Sequence, residues 1–182
     1  MRLFVSVDLD GIADAVSGVQ DPLSELPGLR LTDPGQAHVT MKFLGAGEHD
    51  LEALSNAIET AVSDAEIDPF KTTFEGVGAF PSAEYIRVLW LGVGRGTSEL
   101  TALHRRIEAE TTTLGYDEER HEFTPHVTLA RMEHAAAKGE VQRFLREADP
   151  DVGPLRVEEL RLKESRSTDD GPKYRTVEQF RV

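Results

Sequence analysis

Short runs in which hydrophobic and polar residues alternate recur along the chain, and this period of two is typical of β-strands with one buried face. In the first run, Leu3, Val5 and Val7 share one side. Four later runs are joined in pairs by short turn-rich segments, which indicates two β-hairpins. The strands predicted from these runs cover residues 2–9, 70–80, 85–93, 155–163 and 174–182.

Other stretches place hydrophobic residues at intervals of three and four, the period of an amphipathic helix. Two of them cover residues 50–64 and 98–114. Gly115, directly after the second, is typical of a helix C-terminus because glycine readily adopts the left-handed conformation found there. A further stretch carries Val141 and Phe144 on one face. Helices and antiparallel strands together predict an α+β protein.

The tripeptide His-Val-Thr occurs twice, at residues 38–40 and 126–128, each time in an apolar run that predicts a strand. Each copy is followed by a helical stretch and then by one of the two hairpins. The order strand, helix, hairpin therefore occurs twice, which predicts a single domain over residues 1–182 with two pseudo-symmetric lobes. We expect each lobe to be an antiparallel sheet backed by helices, with the two His-Val-Thr strands facing each other across a central cleft.

Residues i and i+2 of a strand point to the same face. His38, Thr40 and Lys42 should therefore project together, and His126 and Thr128 should form a matching face. The unperturbed pKa of histidine, ~6.5, allows one imidazole to donate a proton while the other accepts one near pH 7. Threonine hydroxyls can donate hydrogen bonds to phosphoryl oxygens, so the set favours metal-free phosphodiester chemistry. Lys42 is either a phosphate contact or a solvated strand end.

Composition narrows the class of protein. The chain contains no cysteine, which excludes a disulfide scaffold, thiol catalysis and a cysteine-ligated metal. No apolar run approaches the ~20 residues of a membrane helix, and the N-terminal residues lack the pattern of a signal peptide. A soluble cytoplasmic protein that does not bind membranes is expected.

The chain is acidic, with 33 Asp and Glu against 20 Lys and Arg and a formal net charge of −13. It therefore lacks the basic surface of a general nucleic-acid binder, and a phosphate-bearing substrate would have to be drawn to a small positive pocket. The excess of acid has two interpretations. It is an ordinary surface kept soluble by charge, or it is a halophilic adaptation to intracellular salt, where a Debye length of ~3 Å at 1 M screens self-repulsion.

The chain resembles the 2H phosphoesterase superfamily, named for its two His-x-Thr motifs. The resemblance is greatest to the RNA 2′,3′-cyclic phosphodiesterase branch, also called 2′-5′ RNA ligase, and it spans nearly the whole chain. The segments that carry it, both motifs among them, are residues 2–9, 38–45, 76–81, 87–90, 123–131 and 164–166.

The resemblance implies hydrolysis of a 2′,3′-cyclic phosphate, at an RNA end or on a cyclic nucleotide, to a 2′-phosphate without metal or other cofactor. It implies that His38 protonates the departing 3′ oxygen and that His126 activates the attacking water. Thr40 and Thr128 would hold the nonbridging oxygens. The same site would account for 2′-5′ ligation. An arginine after the second motif lies near the phosphate in the family, which points to Arg131, although strict alternation puts this residue out of phase with His126.

Two other classes of function remain open. A noncatalytic nucleotide-binding or RNA-binding module on the same fold would keep a pocket but usually lose a histidine, and both histidines are present. A metal-dependent hydrolase would use the histidines as ligands, but its site would need carboxylates or further histidines at the positions of the threonines. A monomer without a protein partner is expected. The other histidines are expected at the surface: His49, His104, His121 and His134.

Overall fold

A computed structural model describes residues 1–182. The strands are β1 (Arg2–Asp8), β2 (Leu29–Leu31), β3 (His38–Ala46), β4 (Phe70–Thr72), β5 (Phe74–Pro81), β6 (Ile86–Val93), β7 (His126–Met132), β8 (Leu155–Val157), β9 (Glu159–Thr168) and β10 (Gly171–Arg181). The helices are α1 (Ala13–Gln20), α2 (Leu51–Ala65), α3 (Thr97–Thr113) and α4 (Lys138–Glu147).

The predicted helices lie close to their expected bounds, but the strands predicted over residues 70–80 and 155–163 are each divided in two, because β4 and β8 pair with each other outside the large sheet. The side chain of Asp50 caps α2 by accepting a hydrogen bond from the backbone N–H of Ala53 at 3.0 Å. Gly115 follows α3 with a φ of +90°, as its position in the sequence predicts. The second hairpin is longer than expected, because β9 and β10 extend into the predicted loop and leave a tight turn. None of the helices is long and apolar enough to cross a membrane.

Eight strands form one antiparallel sheet in the order β10-β9-β1-β3-β7-β6-β5, with β2 also paired to β7, while β4 and β8 pair separately. The two motif strands, β3 and β7, are neighbours at the centre of this sheet. Their ladder is a single residue pair, Val39 with Val127. Farther along, β7 pairs with Leu29–Leu31 of β2 instead. The two predicted lobes are thus the two halves of one sheet, and the motif strands lie side by side at the narrow junction.

Each half of the sheet contains a hairpin from the other repeat. The hairpin of β5 and β6 follows β3 in the chain, but β6 pairs with β7. The hairpin of β9 and β10 follows β7, but β9 pairs with β1, which pairs with β3. The chain therefore crosses between the halves, and neither half is built from one continuous segment.

The helices cover one face of the large sheet. Val39 packs in the main core with Leu103 of α3, and Leu89 packs in a second cluster with Val141 of α4. Helices α2 and α3 contact each other, and α1 contacts β7. Because side chains alternate along a strand, the residues on either side of Val39 point away from the helices. We call this uncovered side the open face of the sheet.

Candidate active site

The two motifs come together on the open face. Because Val39 lies opposite Val127 in an antiparallel pair, the register places His38 across from Thr128 and Thr40 across from His126. Both valines are buried in the core, so the histidine and threonine that flank each of them share the open face. The four motif side chains predicted from the sequence therefore belong to one site.

Both imidazoles are held in the same way. Nδ1 of His38 lies 2.8 Å from the carbonyl oxygen of Gln36, and Nδ1 of His126 lies 2.6 Å from the carbonyl oxygen of Thr124. A carbonyl oxygen can only accept, so Nδ1 is the donor in each ring. The Nε2 atom of each ring is then left to exchange a proton, as an acid when the ring is charged and as a base when it is neutral.

A β-bulge interrupts each motif strand three residues after its histidine. The register between β1 and β3 skips Met41, and the register between β6 and β7 skips Leu129. An extra residue in one strand reverses the alternation of the side chains that follow it. The strict alternation assumed in the sequence analysis therefore ends at the bulges.

The bulge at Met41 turns Lys42 toward the helices. The side chain of Lys42 is only 3% exposed, and its Nζ lies 2.6 Å from the carboxylate of Glu108 on α3. It also donates a hydrogen bond to the carbonyl oxygen of Asp117 at 2.5 Å. Lys42 therefore lies on the covered face, and both interpretations of it, as a phosphate contact and as a solvated strand end, are wrong.

The bulge at Leu129 has the opposite consequence for Arg131. Leu129 and Ala130 are both buried in the hydrophobic clusters, so Arg131 returns to the open face with His126. Burial lowers the pKa of His126, and the charge of Arg131 lowers it further. Burial raises the pKa of Tyr174, and the charge of Arg131 opposes that rise. The guanidinium of Arg131 therefore acts on His126 and on Tyr174, whose ring contacts His38.

Buried polar side chains hold both bulges in place. Nδ1 of His104, on α3, lies 2.8 Å from the carbonyl oxygen of Met41, and Nε2 of Gln20, on α1, donates to the carbonyl oxygen of Leu129 at 2.9 Å. His104 is 8% exposed and Gln20 is 4% exposed. The predicted surface location of His104 is therefore wrong. A buried carbonyl without a partner would cost free energy, and these two side chains remove that cost.

Charged and polar groups surround His38. Asp8 lies opposite it in the register of β1 and β3, and the ring of Tyr174 meets the imidazole edge-on with centroids 5.2 Å apart. The carboxylate of Asp8 accepts hydrogen bonds from Lys163 at 2.5 Å, Arg161 at 2.8 Å and Ser6 at 2.8 Å. Burial alone would raise the pKa of Asp8, but these partners outweigh burial and hold the pKa below its ordinary value. The carboxylate is therefore ionised at neutral pH.

Aromatic side chains flank both imidazoles, with Phe4 and Tyr174 beside His38 and Phe80 and Trp90 beside His126. The ring of Phe80 meets the imidazole of His126 edge-on with centroids 4.9 Å apart, and the ring of Trp90 lies 6.1 Å away. The residue opposite His126 in the register of β6 and β7 is Gly92, which has no side chain. His126 therefore lies in an apolar setting that favours its neutral form.

A groove of about 380 Å³ opens beside His126. Its lining includes Trp90, which contacts the imidazole, and Thr124, whose carbonyl oxygen orients it. The groove thus provides space next to His126 on one side of the site. No group of three or more His, Asp or Glu side chains is arranged to hold a metal ion.

An antiparallel sheet that pairs two His-x-Thr strands at its centre defines a phosphoesterase of the two-histidine class. The sequence matches the family model of the 2′-5′ RNA ligase superfamily over residues 10–169. This chain therefore belongs to the 2′-5′ RNA ligase superfamily, as the resemblance of its motifs predicts.

Curated relatives match over the whole chain. A protein of Methanothermobacter thermautotrophicus named RNA 2′,3′-cyclic phosphodiesterase is 34% identical over 186 residues, which cover 100% of this chain and 99% of the relative. A protein of Archaeoglobus fulgidus with the same name is 36% identical over 183 residues, which cover 99% of each chain. The relatives and this chain thus correspond over their full lengths.

Solved structures share the fold. TT0787 of Thermus thermophilus superposes with a TM-score of 0.77 at 25% identity, covering 100% of this chain and 97% of that chain. E. coli LigT complexed with 3′-AMP superposes with a TM-score of 0.76 at 21% identity, again covering 100% and 97%. The predicted α+β class is confirmed.

Several residues of the site were not identified from the sequence: Asp8, Lys163, Arg161 and Tyr174. One signal was available in β1, where Ser6 and Asp8 are polar residues at alternate positions of an otherwise apolar strand. Polar residues two apart indicate one face that is not buried in the core. The residues of β9 and β10 carry no comparable signal, because the pairing of β9 with β1, which brings this hairpin to the site, is set by contacts distant in sequence.

Proposed function

We propose that this protein hydrolyses the 2′,3′-cyclic phosphate at an RNA end, or on a cyclic nucleotide, to a 2′-phosphate. The observation that carries the proposal is the pair of imidazoles, His38 and His126, oriented alike on the open face with Nε2 free on each. The name of the full-length relatives supports the same activity. Both histidines and both threonines are retained, which does not favour a noncatalytic binding module.

In this mechanism His126 accepts a proton from water as the water oxygen attacks phosphorus. The bond between phosphorus and the 3′ oxygen breaks, and His38 donates its Nε2 proton to that oxygen. The phosphate remains on the 2′ oxygen. One proton has moved from water to His126 and one from His38 to the product, so both rings return to their starting states by exchange with solvent.

Three further side chains would hold the phosphate. Thr40 and Thr128 would donate hydrogen bonds to the nonbridging oxygens, since each lies across the strand pair from a histidine. Arg131 would supply positive charge to the transition state. A local cation is needed for a phosphate ligand in a chain with a formal net charge of −13.

The same arrangement would support 2′-5′ ligation. A 5′-hydroxyl of a second RNA would take the place of water beside His126, and His38 would again protonate the 3′ oxygen. The groove beside His126 offers space for the incoming nucleoside.

The cellular setting is also part of the proposal. We infer a cytoplasmic monomer that acts as one bilobal domain over residues 1–182 and needs no metal or other cofactor. We further infer that the acidic surface is an adaptation to high salt, because 33 acidic side chains against 20 basic ones create repulsion that salt would screen.

An RNA oligomer that ends in a 2′,3′-cyclic phosphate tests the proposal. After incubation with the protein in excess EDTA, mass spectrometry should show the oligomer gaining one water. His126→Ala should prevent the gain, while His121→Ala, which changes an exposed histidine outside the site, should not. A folded protein that leaves the oligomer unchanged would refute the proposal. Conversion that stops with EDTA and returns with a divalent metal would favour the metal-dependent alternative.

A further inference from the structure

Equivalent strands flank the two motifs, because β1 pairs with β3 as β6 pairs with β7. In these registers Asp8 lies opposite His38, and Gly92 lies opposite His126. The two positions are therefore counterparts in the two halves of the sheet. One half has a carboxylate beside its histidine, and the other half has no side chain at that place.

Packing excludes a charged residue at the counterpart position. A Cβ atom added to Gly92 would lie 2.6 Å from the carbonyl oxygen of Glu75, which is too close for an ordinary contact. A carboxylate cannot be placed at position 92, opposite His126, without moving the backbone of β5. The difference between the two halves is thus fixed by the strands themselves.

The neighbouring positions also carry polar side chains in the first half and aromatic side chains in the second. Ser6 pairs with the threonine of the first motif, and its counterpart in the second half is Trp90. Lys163, one strand farther out, has Phe80 as its counterpart. The motifs, the bulges and the backbone partners of the imidazoles are repeated in both halves, whereas the cluster of Ser6, Asp8 and Lys163 is present only around the first histidine.

Asp8 acts on His38 through charge. Its side chain is 8% exposed, and its three hydrogen bonds go to other residues, while Nδ1 of His38 is already bonded to the carbonyl oxygen of Gln36. The carboxylate attracts positive charge on the imidazole. It also neutralises the ammonium of Lys163, which would otherwise repel a protonated His38.

We propose that Asp8 is the positioning residue that makes His38, rather than His126, the proton donor of the pair. This inference rests on the proposed function. The ionised carboxylate stabilises the imidazolium of His38, while the charge of Arg131 disfavours a charge on His126. The direction of proton transfer is therefore set by the neighbours of two motifs that are otherwise alike.

The charged and titratable groups around His38 come from four strands: Asp8 of β1, His126 of β7, Lys163 and Arg161 of β9, and Tyr174 of β10. Burial lowers the pKa of His38, and the charges of Lys163 and His126 lower it further. The Asp8 charge opposes this lowering. Asp8 is the one anion among these groups, and the hydrogen bond between Nδ1 and the carbonyl oxygen of Gln36 is the other interaction that raises the pKa of His38. Removal of Asp8 should therefore lower the pKa of His38.

An NMR titration of the two imidazoles in the free protein tests the proposal. It requires no turnover, so its outcome is separate from that of the activity assay. In Asp8→Asn the pKa of His38 should fall by about one pH unit or more, since a charge at close range has that effect, and the pKa of His126 should change much less. Asp10→Asn is the matched control. Asp10 also bonds Arg161, at 2.5 Å, but is well exposed, and its change should leave both rings nearly unaltered.

A second variant should shift the pKa of His38 in the opposite direction. Lys163→Met removes a cation near His38 and should raise the pKa of His38. An unchanged His38 in folded Asp8→Asn, or an equal fall for both histidines, would overturn the proposal. If Asp8→Asn does not fold, the titration of Lys163→Met is the test, and the absence of a rise in the pKa of His38 would overturn the proposal.

Kinetics provides a further readout. The optimum of kcat/KM lies midway between the two pKa values, so in Asp8→Asn it should move to lower pH by about half the shift in the pKa of His38.

Discussion

Val39 lies directly opposite Val127, and this is the only residue pair in the ladder between the two motif strands. Because both valines point into the core, the histidine and threonine beside each of them meet on the open face. A single antiparallel pair thus assembles one site from two segments far apart in sequence. It also makes the two histidines equivalent in position, so that only their neighbours distinguish them.

Removal of either imidazole should abolish most of the activity. His38→Ala and His126→Ala should each lower kcat by about 10²–10⁴-fold, the usual contribution of one positioned proton transfer. The double variant should be little worse than the less active single variant, because the two rings act as a unit. Steady-state kinetics on proteins shown by circular dichroism to be folded provides the measurement. Full activity in either single variant would be incompatible with the mechanism.

The pH dependence of kcat/KM should be bell-shaped, because one ring must be charged and the other neutral. Burial lowers the pKa of both His38 and His126 below the ordinary value of 6.5. The optimum for the free enzyme should therefore lie on the acidic side of pH 6.5. A bound phosphate anion raises both values, so the profile of kcat should lie at higher pH. A profile with a single sigmoidal limb would show that only one histidine titrates.

Arg131 and Lys42 should respond in opposite ways to the same substitution. Arg131→Met should lower kcat/KM by about 10²–10³-fold, the effect of removing one donor to a transition-state oxyanion, and should leave the fold intact. Lys42→Met should leave the kinetics of the folded protein unchanged, but it should lower the free energy of unfolding by about 3–5 kcal/mol, because Glu108 loses its buried cation. Denaturant titration and kinetics on both variants give the comparison. An Arg131→Met protein as active as the parent would remove Arg131 from the site.

The contrast between Arg131 and Lys42 shows where the sequence stops being informative. The histidine and threonine of each motif are two residues apart, so alternation alone places them on one face. The bulges that follow have no local pattern, since they depend on distant partners such as Gln20 and His104. Alternation therefore failed for Lys42, and it assigned Arg131 to the opposite side of the strand.

The order of the strands in the sheet is the second feature that the sequence does not predict. Both hairpins were predicted from local alternation and turn residues, but each has the same local pattern and could pair with either half of the sheet. The exchange, in which β6 pairs with β7 and β9 pairs with β1, is set by long-range contacts. For this reason the sequence does not predict that Lys163 bonds Asp8.

Salt should stabilise the protein if its acidic surface is an adaptation to salt. The melting temperature should rise as KCl increases from about 0.1 M to about 2 M, because salt screens repulsion among the excess acidic groups. An ordinary acidic protein would change much less. Differential scanning calorimetry across this range is the measurement, and a flat or falling melting temperature would leave the charge with a solubility role only.

The regiochemistry of the product tests the proposed mechanism most directly. A nucleoside 2′,3′-cyclic phosphate can open to a 2′-phosphate or to a 3′-phosphate, and ³¹P NMR distinguishes the two. If His38 protonates the 3′ oxygen while His126 activates water, the product is the 2′-phosphate alone, with or without EDTA. A 3′-phosphate, a mixture of the two, or no product from the folded protein would contradict the mechanism.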